Sequence, residues 1–483
     1  MSTIIEAVRG MRDVLPGELA PQAAIAARLE HILASYGYLP VDLPIIEHRD
    51  LYLRKLGEEL VGKVYEFSFG GRELALRPEW TASVLRAYVG RMQDQPLPLR
   101  LRYAGPVFRN ERPQRATYRQ FTQIGVELIG GPAPRADAEC IALAGAGLHA
   151  AGVCSYWVRI GHIGLIRTLL AAIGLTERMQ GLLTWSLERM RTHGVAAVRA
   201  QLDAAHGEPT LDAALLDGLD DARAEALLLR ALEAIGVNLQ FGSRAPDEIV
   251  ARLVRKLRRE DPQPRIERAL ALLERLCLIQ GPPAEALPAA EALLAAFGLH
   301  APELDELRAI LELVAVHGLP GGQIALDFGL GRGLHYYTGA IFEIYTDDGM
   351  QLCGGGRYDD LVAALGGRQS VPAVGFAYGL ERVVLAAEPP RSQEGQPRSV
   401  LVVAASDQAY PYGLQVAQLL RERGYIAAVD VRGRSVASNL RDAARRGIGY
   451  VAVVGPAEQE RSEVLWRDLA RHEEHRLALR ELS

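Results

Sequence analysis

The chain has 483 residues, 49% of them hydrophobic, and a formal net charge of −5. At roughly 100–200 residues per domain it has room for two to four domains with sizeable cores, and its mild acidity excludes a protein that is basic throughout for nucleic acid, though not one with local basic faces. No apolar run approaches the roughly 18 residues of a membrane span, no charged-then-apolar secretory pattern opens the sequence, and Cys140, Cys154, Cys277 and Cys353 have neither CxxC nor Cys/His spacing, so the expectation is a cytoplasmic protein with reduced thiols and no bound metal.

Residues 8–16, VRGMRDVLP, read as a loop entering a helix. Residues 22–36 have helical periodicity, with Ile25, Leu29, Ile32 and Leu33 on one face. The chain then turns extended over 37–46, where Pro44 belongs at an edge or strand end because it cannot donate to a ladder. A strand is predicted at 74–77, running into PEWTAS, where Thr81 or Glu79 caps a helix continuing through 84–92.

Residues 103–130, YAGPVFRNERPQRATYRQFTQIGVELIG, carry four arginines, three glutamines and two glutamates between apolar runs. Two strands, 101–109 and 119–128, account for the pattern, and alternation along them aims charges into one cleft. Guanidinium forks match phosphate oxygens, and nearby carboxylates suit a cationic ligand. A surface hairpin laced with ion pairs is the other reading. Helices follow at 137–151 and 164–174.

From about 175 to 319 alanine, leucine, arginine and glutamate dominate with a period near 3.6. Leu215, Leu219, Ala222, Ala226 and Leu229 form one stripe, and Ile266, Ala269, Leu270 and Leu273 another. This is expected to be an all-helical insertion, for packing or for a partner. Extended patterning resumes at 324–328 and 340–345. GGG at 354–356 leads into RYDDLVAAL, and 372–376 leads into a helix over 379–387. Such an order predicts α+β architecture with an antiparallel sheet flanked by helices, not βαβ winding. Residues 388–398, EPPRSQEGQPR, read as a linker. Strands at 400–405, 426–431 and 450–454 alternate with helices at 410–423 and 435–446, a small α/β domain with a parallel sheet.

On these residues the chain resembles the histidyl-tRNA synthetases and their paralogues, within the class II aminoacyl-tRNA synthetases. RGMRDVLP is similar to the family's N-terminal signature, the segment around Pro44 to motif 1, the dimer-forming element, and 103–130 to motif 2. PAVGFAYGLERVVL is similar to motif 3, and RGLHYYTGAIFE with GGGRYDDL to the two histidine-specific blocks. The resemblance implies a catalytic-type core over 1–174 and 320–387, the helical insertion at 175–319, and an anticodon-binding-like domain over 399–483. It also implies activation of histidine with ATP, Mg2+ accompanying the ATP, no tightly bound cofactor, tRNA(His) as partner, and a homodimer away from any membrane.

Residue by residue, the resemblance places Arg109 at the α-phosphate of ATP, Glu111 near the adenine and acceptor end, and Arg382 over the adenine and terminal phosphate. Arg332 falls near the substrate carboxylate and α-phosphate. Glu79, Thr81 and Gln123 fall at the substrate ammonium, Glu127 at the imidazole, and Tyr337 and Tyr358 where they close the pocket. A buried carboxylate needs a donor, and an imidazole N–H is one; Glu127 and the tyrosines also fit a structural hydrogen-bond network.

Three positions depart from the family pattern. Ala116-Thr117 stands where most members have Gly-Arg, with Arg115 as a cation two residues earlier. Trp80 stands where many have glycine, and His335 replaces the aspartate of RGLDYY. With GHIGLIRTLL and LDFGLGRGLHYYTG, these are also similar to a paralogue, the regulatory subunit of ATP phosphoribosyltransferase, which does not charge tRNA and whose partner is the phosphoribosyltransferase catalytic subunit. Basic flanks at Arg441, Arg445 and Arg446, and at Arg255, Lys256, Arg258 and Arg259, suit phosphate contacts or solvated helix faces.

Overall fold

The computed structural model describes residues 5–53, 62–112, 116–206, 219–234, 250, 254, 261–319, 323–331, 336–388 and 398–481. The chain divides into two compact units, residues 1–389 and 390–483.

The first unit is built on a nine-stranded sheet. In spatial order its strands are Leu39–Pro40, Leu99–Phe108, Gln120–Ile129, Ala373–Gly379, Gln351–Arg357, Ala340–Tyr345, Trp157–His162, Ile324–Asp327 and Gln280–Gly281. The pairings from Leu99–Phe108 through Trp157–His162 are all antiparallel. Only the pairings of Leu39–Pro40 and of Ile324–Asp327 with Trp157–His162 are parallel. The antiparallel sheet expected from the strand order is therefore present, and both predicted strands of the 103–130 segment lie within it.

Alternation sorts the side chains of Gln120–Ile129 between two layers. Ile124, Val126 and Leu128 enter the core beneath the helices Pro16–Ser35 and Arg135–Ala151. Residues 123, 125 and 127 face the other way, toward a second core that holds Trp80, Tyr103, Tyr336, Tyr337 and Tyr358. A three-stranded sheet, Ile46–His48, Arg72–Leu76 and Glu66–Phe69, and the helix Thr81–Arg91 belong to this second side.

Among the described residues from 175 to 319 the regular elements are helices apart from Gln280–Gly281, which joins the end of the large sheet. Ile266, Ala269, Leu270 and Leu273 are buried as the period predicts, in the same core as the sheet. The other stripe is met in part: Leu219 and Leu229 pack, half-buried, against the cluster, but Ala224 and Leu228 are its buried members, Ala222 and Ala226 are exposed, and Leu215 lies outside the described residues. In an alanine-rich helix several faces satisfy three- and four-residue spacing, and burial of the larger leucine surface selects between them.

In the second unit the strand order is Ile426–Val429, Ser399–Ala404, Tyr450–Val454, Glu463–Asp468, Glu473–Ala478. The first three are parallel, as expected. The last two are antiparallel, so the sheet is mixed and not purely parallel. Glu473–Ala478 has no buried residue, so the hairpin carries little apolar alternation to read.

One buried ion pair ties the sheet to its helical layer. The Arg357 Nε donates to Asp137 Oδ1 at 3.0 Å, its Nη1 to Asp359 Oδ1 at 2.9 Å, and its Nη2 to the Gly131 carbonyl at 3.1 Å. Arg357→Met leaves Asp137 and that carbonyl buried without the donor, and a loss of about 3–5 kcal/mol is expected. Denaturant unfolding of the first unit measures it, and a loss below about 1 kcal/mol would show the pair to be dispensable.

Candidate active site

A cleft on the second face of the sheet has a cavity volume of about 120 Å³. Its closed end is walled by the buried Glu79, Tyr103 and Tyr358, and its open end by the half-buried Arg109, Glu111, Thr117 and Arg382. Thr81, Gln123 and Tyr337 line it as well. Glu127 lies against Tyr358 at the closed end, fully buried. Eight of the ten residues singled out by sequence thus line one cleft and Glu127 adjoins it; Arg332 lies outside the described residues, as do Arg115, His335 and the basic cluster at 255–259.

Glu127 is held by hydroxyls. Thr81 Oγ1 donates to its Oε1 at 2.7 Å and Tyr103 OH to the same oxygen at 3.1 Å, while Tyr358 OH donates to Oε2. Burial pushes its pKa up to about 8, against the pull of the hydroxyl donors, and the neighbouring Glu79 charge adds to the rise. Gly375 makes room for it, because a Cβ there would sit 2.0 Å from Oε2.

Glu79 is also raised by burial, with the Ala82 N–H and the Arg109 charge opposing. Its Oε1 accepts the Ala82 N–H at 2.9 Å, so Glu79 is the residue that caps the helix, while Thr81 turns to Glu127. Gln123 Oε1 is buried without a hydrogen-bond partner. An orphaned acceptor beside two buried carboxyls is a site for an N–H-bearing or cationic ligand.

The open end is cationic. Arg109 Nε donates to the Pro78 carbonyl at 2.8 Å, and its guanidinium lies 5.4 Å from the Phe121 ring centroid. Arg382 holds the closing limb of the 109–119 loop: Nε donates to the Ala116 carbonyl at 3.1 Å, Nη2 to Thr117 Oγ1 at 3.4 Å, and Nη1 to the Gln351 carbonyl at 3.2 Å. Ala116 has φ of 60°, a left-handed conformation that glycine adopts without a Cβ clash. Glu111 stands 3.7 Å from Lys63 Nζ. Two arginines facing one opening suit a polyphosphate.

Trp80 is a pillar rather than a lining residue. Its ring stacks on Tyr103 at 4.8 Å and 9°, and the Arg77 guanidinium carbon lies 3.4 Å from the Trp80 ring centroid. Sequence reasoning missed Tyr103 and Glu381. Tyr103 faces the cleft through its cross-strand register with Gly125, and Glu381 accepts the Thr122 N–H with both oxygens at 2.9 and 3.0 Å. Tyr103 owes its place to strand pairing and Glu381 to a contact between its helix and a distant strand, neither of which local periodicity carries. Among the described residues no cluster of three or more His, Cys, Asp or Glu is placed to hold a metal, and no helix is long and apolar enough to cross a membrane.

Solved structures share this architecture. A histidyl-tRNA synthetase from Nostoc sp. PCC 7120 matches with a TM-score of 0.67 at 20% identity, covering 100% of this chain and 99% of that one. A protein from Bacillus halodurans C, described as an ATP phosphoribosyltransferase regulatory subunit/histidyl-tRNA synthetase, matches with 0.65 at 22% identity, covering 94% and 99%. The fold is that of a class II aminoacyl-tRNA synthetase. The family profile for histidyl-tRNA synthetase matches residues 10–245 and 250–383, and that for the anticodon-binding domain matches 399–483. The histidine--tRNA ligase of Archaeoglobus fulgidus is 34% identical over 99% of this chain and 98% of its own length. The chain belongs to the histidyl-tRNA synthetase family.

The Glu127 carboxyl gives a pH signature. Its folded pKa, about 8, lies above the ordinary 4.5, so the folded state keeps a proton that the unfolded chain releases. The resulting stability is complete below the unfolded pKa and is lost as pH rises through the folded one. Glu127→Gln removes this dependence: its melting temperature is expected to gain on that of the parent from roughly pH 5 to pH 8 and then to run parallel. Curves parallel throughout would place the proton elsewhere.

Proposed function

We propose that this chain is a histidine–tRNA ligase, which joins histidine to ATP as histidyl-adenylate and passes the histidyl group to tRNA(His). The observation that carries this reading is the polarity of the cleft: buried acceptors at the closed end, arginines at the open end. The full-length relative named as a ligase favours catalysis over the regulatory-subunit alternative.

In this reading Glu79, Thr81 and Gln123 hold the ammonium of histidine. Glu127 meets its imidazole, with Tyr337 and Tyr358 closing the pocket. Arg109 holds the α-phosphate, Arg382 lies over the adenine and the terminal phosphate, and Glu111 lies near the adenine. Arg332 completes the set by resemblance. A histidine carboxylate oxygen attacks the α-phosphorus, a new P–O bond forms, and the bond to the pyrophosphate oxygen breaks. Fixed guanidiniums neutralise the charge that develops, so the protein acts by positioning and electrostatics. Mg2+ enters as the counter-ion of ATP. The second unit takes the anticodon-binding role, although Arg445 and Arg446 are already paired with Asp442 at 3.0 and 3.5 Å, which leaves the exposed Arg441 as the better phosphate contact on that helix.

Histidine-dependent ATP–pyrophosphate exchange followed by charging of tRNA(His) tests the reading, and absence of both refutes it. Glu127→Ala is expected to weaken histidine binding by about tenfold, the cost of one lost hydrogen bond, as measured by calorimetry; undiminished affinity would place the imidazole elsewhere. A second copy of the chain is the expected partner at the three-stranded sheet, where Ile46, Phe67 and Phe69 are 50%, 38% and 75% exposed. Phe67→Asp with Phe69→Asp is expected to give monomers in sedimentation velocity, and an unaltered dimer would place the interface on another face.

A further inference from the structure

Thr117 cannot supply the charge that its position carries in most of the family, and its hydroxyl is already engaged by Arg382 Nη2 at 3.4 Å. Another cation lies alongside. The N-terminal segment runs as a strap across the closing limb of the 109–119 loop. Arg119 N–H donates to the Gly10 carbonyl at 2.9 Å, and its Nη1 to the Arg9 carbonyl at 3.0 Å. Gly10, at φ of 87°, allows the close approach, since a Cβ there would meet Arg119 Cδ at 2.6 Å.

The strap delivers Arg12 to Tyr118. Its guanidinium carbon sits 4.4 Å from the centroid of that ring. Tyr118 follows Thr117 directly, and both line the cleft. Arg12 is exposed, and its charge acts on Glu381 in the cleft wall. Stacking on a ring employs the face of a guanidinium and leaves its N–H edge for an oxyanion. Arg12 makes no side-chain hydrogen bond or ion pair among the described residues.

We propose that Arg12 is a substrate-positioning residue that brings to the polyphosphate tail of ATP the positive charge absent from position 117. The inference rests on the ligase reading for its substrate. It explains how a site with a neutral residue at 117 holds a highly charged ligand: the cation comes from a distant part of the chain, whose carbonyls at Arg9 and Gly10 accept bonds from Arg119.

The test compares the full-length parent with R12A, R12K and R12A/T117R in histidine-dependent ATP–pyrophosphate exchange. R12A is expected to raise KM for ATP about tenfold, the worth of one charge-assisted hydrogen bond, while KM for histidine stays within about twofold. R12K is expected to fall between, keeping the charge and losing the planar stack. Arginine at 117 is expected to restore the KM for ATP. An unchanged KM for ATP in R12A overturns the proposal, as does an equal rise for both substrates or a failure of T117R to rescue, either of which makes the strap a structural brace. If the parent shows no exchange, the ligase reading fails separately. Calorimetric titration of ATP into parent and R12A then decides: weaker binding by R12A upholds the arginine, and equal binding overturns it.

Discussion

Gln123, Gly125 and Glu127 face the cleft because Gln120–Ile129 is paired in one register with its neighbours, Gly375 opposite Glu127 on one side and Tyr103 opposite Gly125 on the other. A slip of one residue would turn all three toward the helical core and bring Ile124 and Val126 into the cleft. That register is fixed from both sides. The apolar partners of the strand are buried against the Pro16–Ser35 and Arg135–Ala151 helices, and the polar set is satisfied only where hydroxyls meet Glu127. Glycine at 125 and 375 is part of the same constraint, since a Cβ at 125 would lie 2.3 Å from the Phe376 carbonyl. The floor of the site is therefore built from absent side chains as much as present ones.

Burial at the closed end and exposure at the open end divide the chemistry. Deep in the cleft the low-dielectric surroundings raise the carboxyl pKa values, so a ligand that brings N–H donors is favoured over bare anions there. At the open end the arginines are oriented by backbone carbonyls of Pro78, Ala116 and Gln351. The printed partners of Arg382, two carbonyls and the Thr117 hydroxyl, orient its guanidinium without neutralising it, while the Arg109 charge also acts on Glu79. The contrast is visible elsewhere in the molecule: Arg357 is bound to Asp137 and Asp359 and acts as a brace.

Most of this was legible in the sequence where the signal is local. The antiparallel core followed from the order of strands, and the residues at the closed and open ends of the cleft followed from the motifs. Tyr103 and Glu381 were not legible, because each owes its place to pairing or contact with residues far away in the chain. The cap at residue 82 was narrowed to Glu79 or Thr81 but not decided, since either oxygen can reach a first-turn N–H; the buried demand of Glu127 for donors claims Thr81. The hairpin Glu463–Asp468 and Glu473–Ala478 was not read because Glu473–Ala478 has no buried residue and so little apolar alternation.

The departures at 80, 116 and 117 act on a single element, the hairpin and its loop. Trp80 fills the space under Gly105, where a Cβ would meet the indole at 2.8 Å, and stacks on Tyr103, so the strand that leads into the loop is supported from beneath. Ala116 accepts a left-handed φ that glycine would adopt without strain, and Arg382 bonds its carbonyl and holds it there. Thr117 offers Arg382 an acceptor where a second guanidinium would bring like charge in the absence of phosphate. Together these hold residues 116 and 117 in place before substrate arrives, and a segment ordered in advance loses less entropy when the nucleotide binds. Position 117 is left without the charge of the family pattern, and the N-terminal strap places Arg12 alongside it.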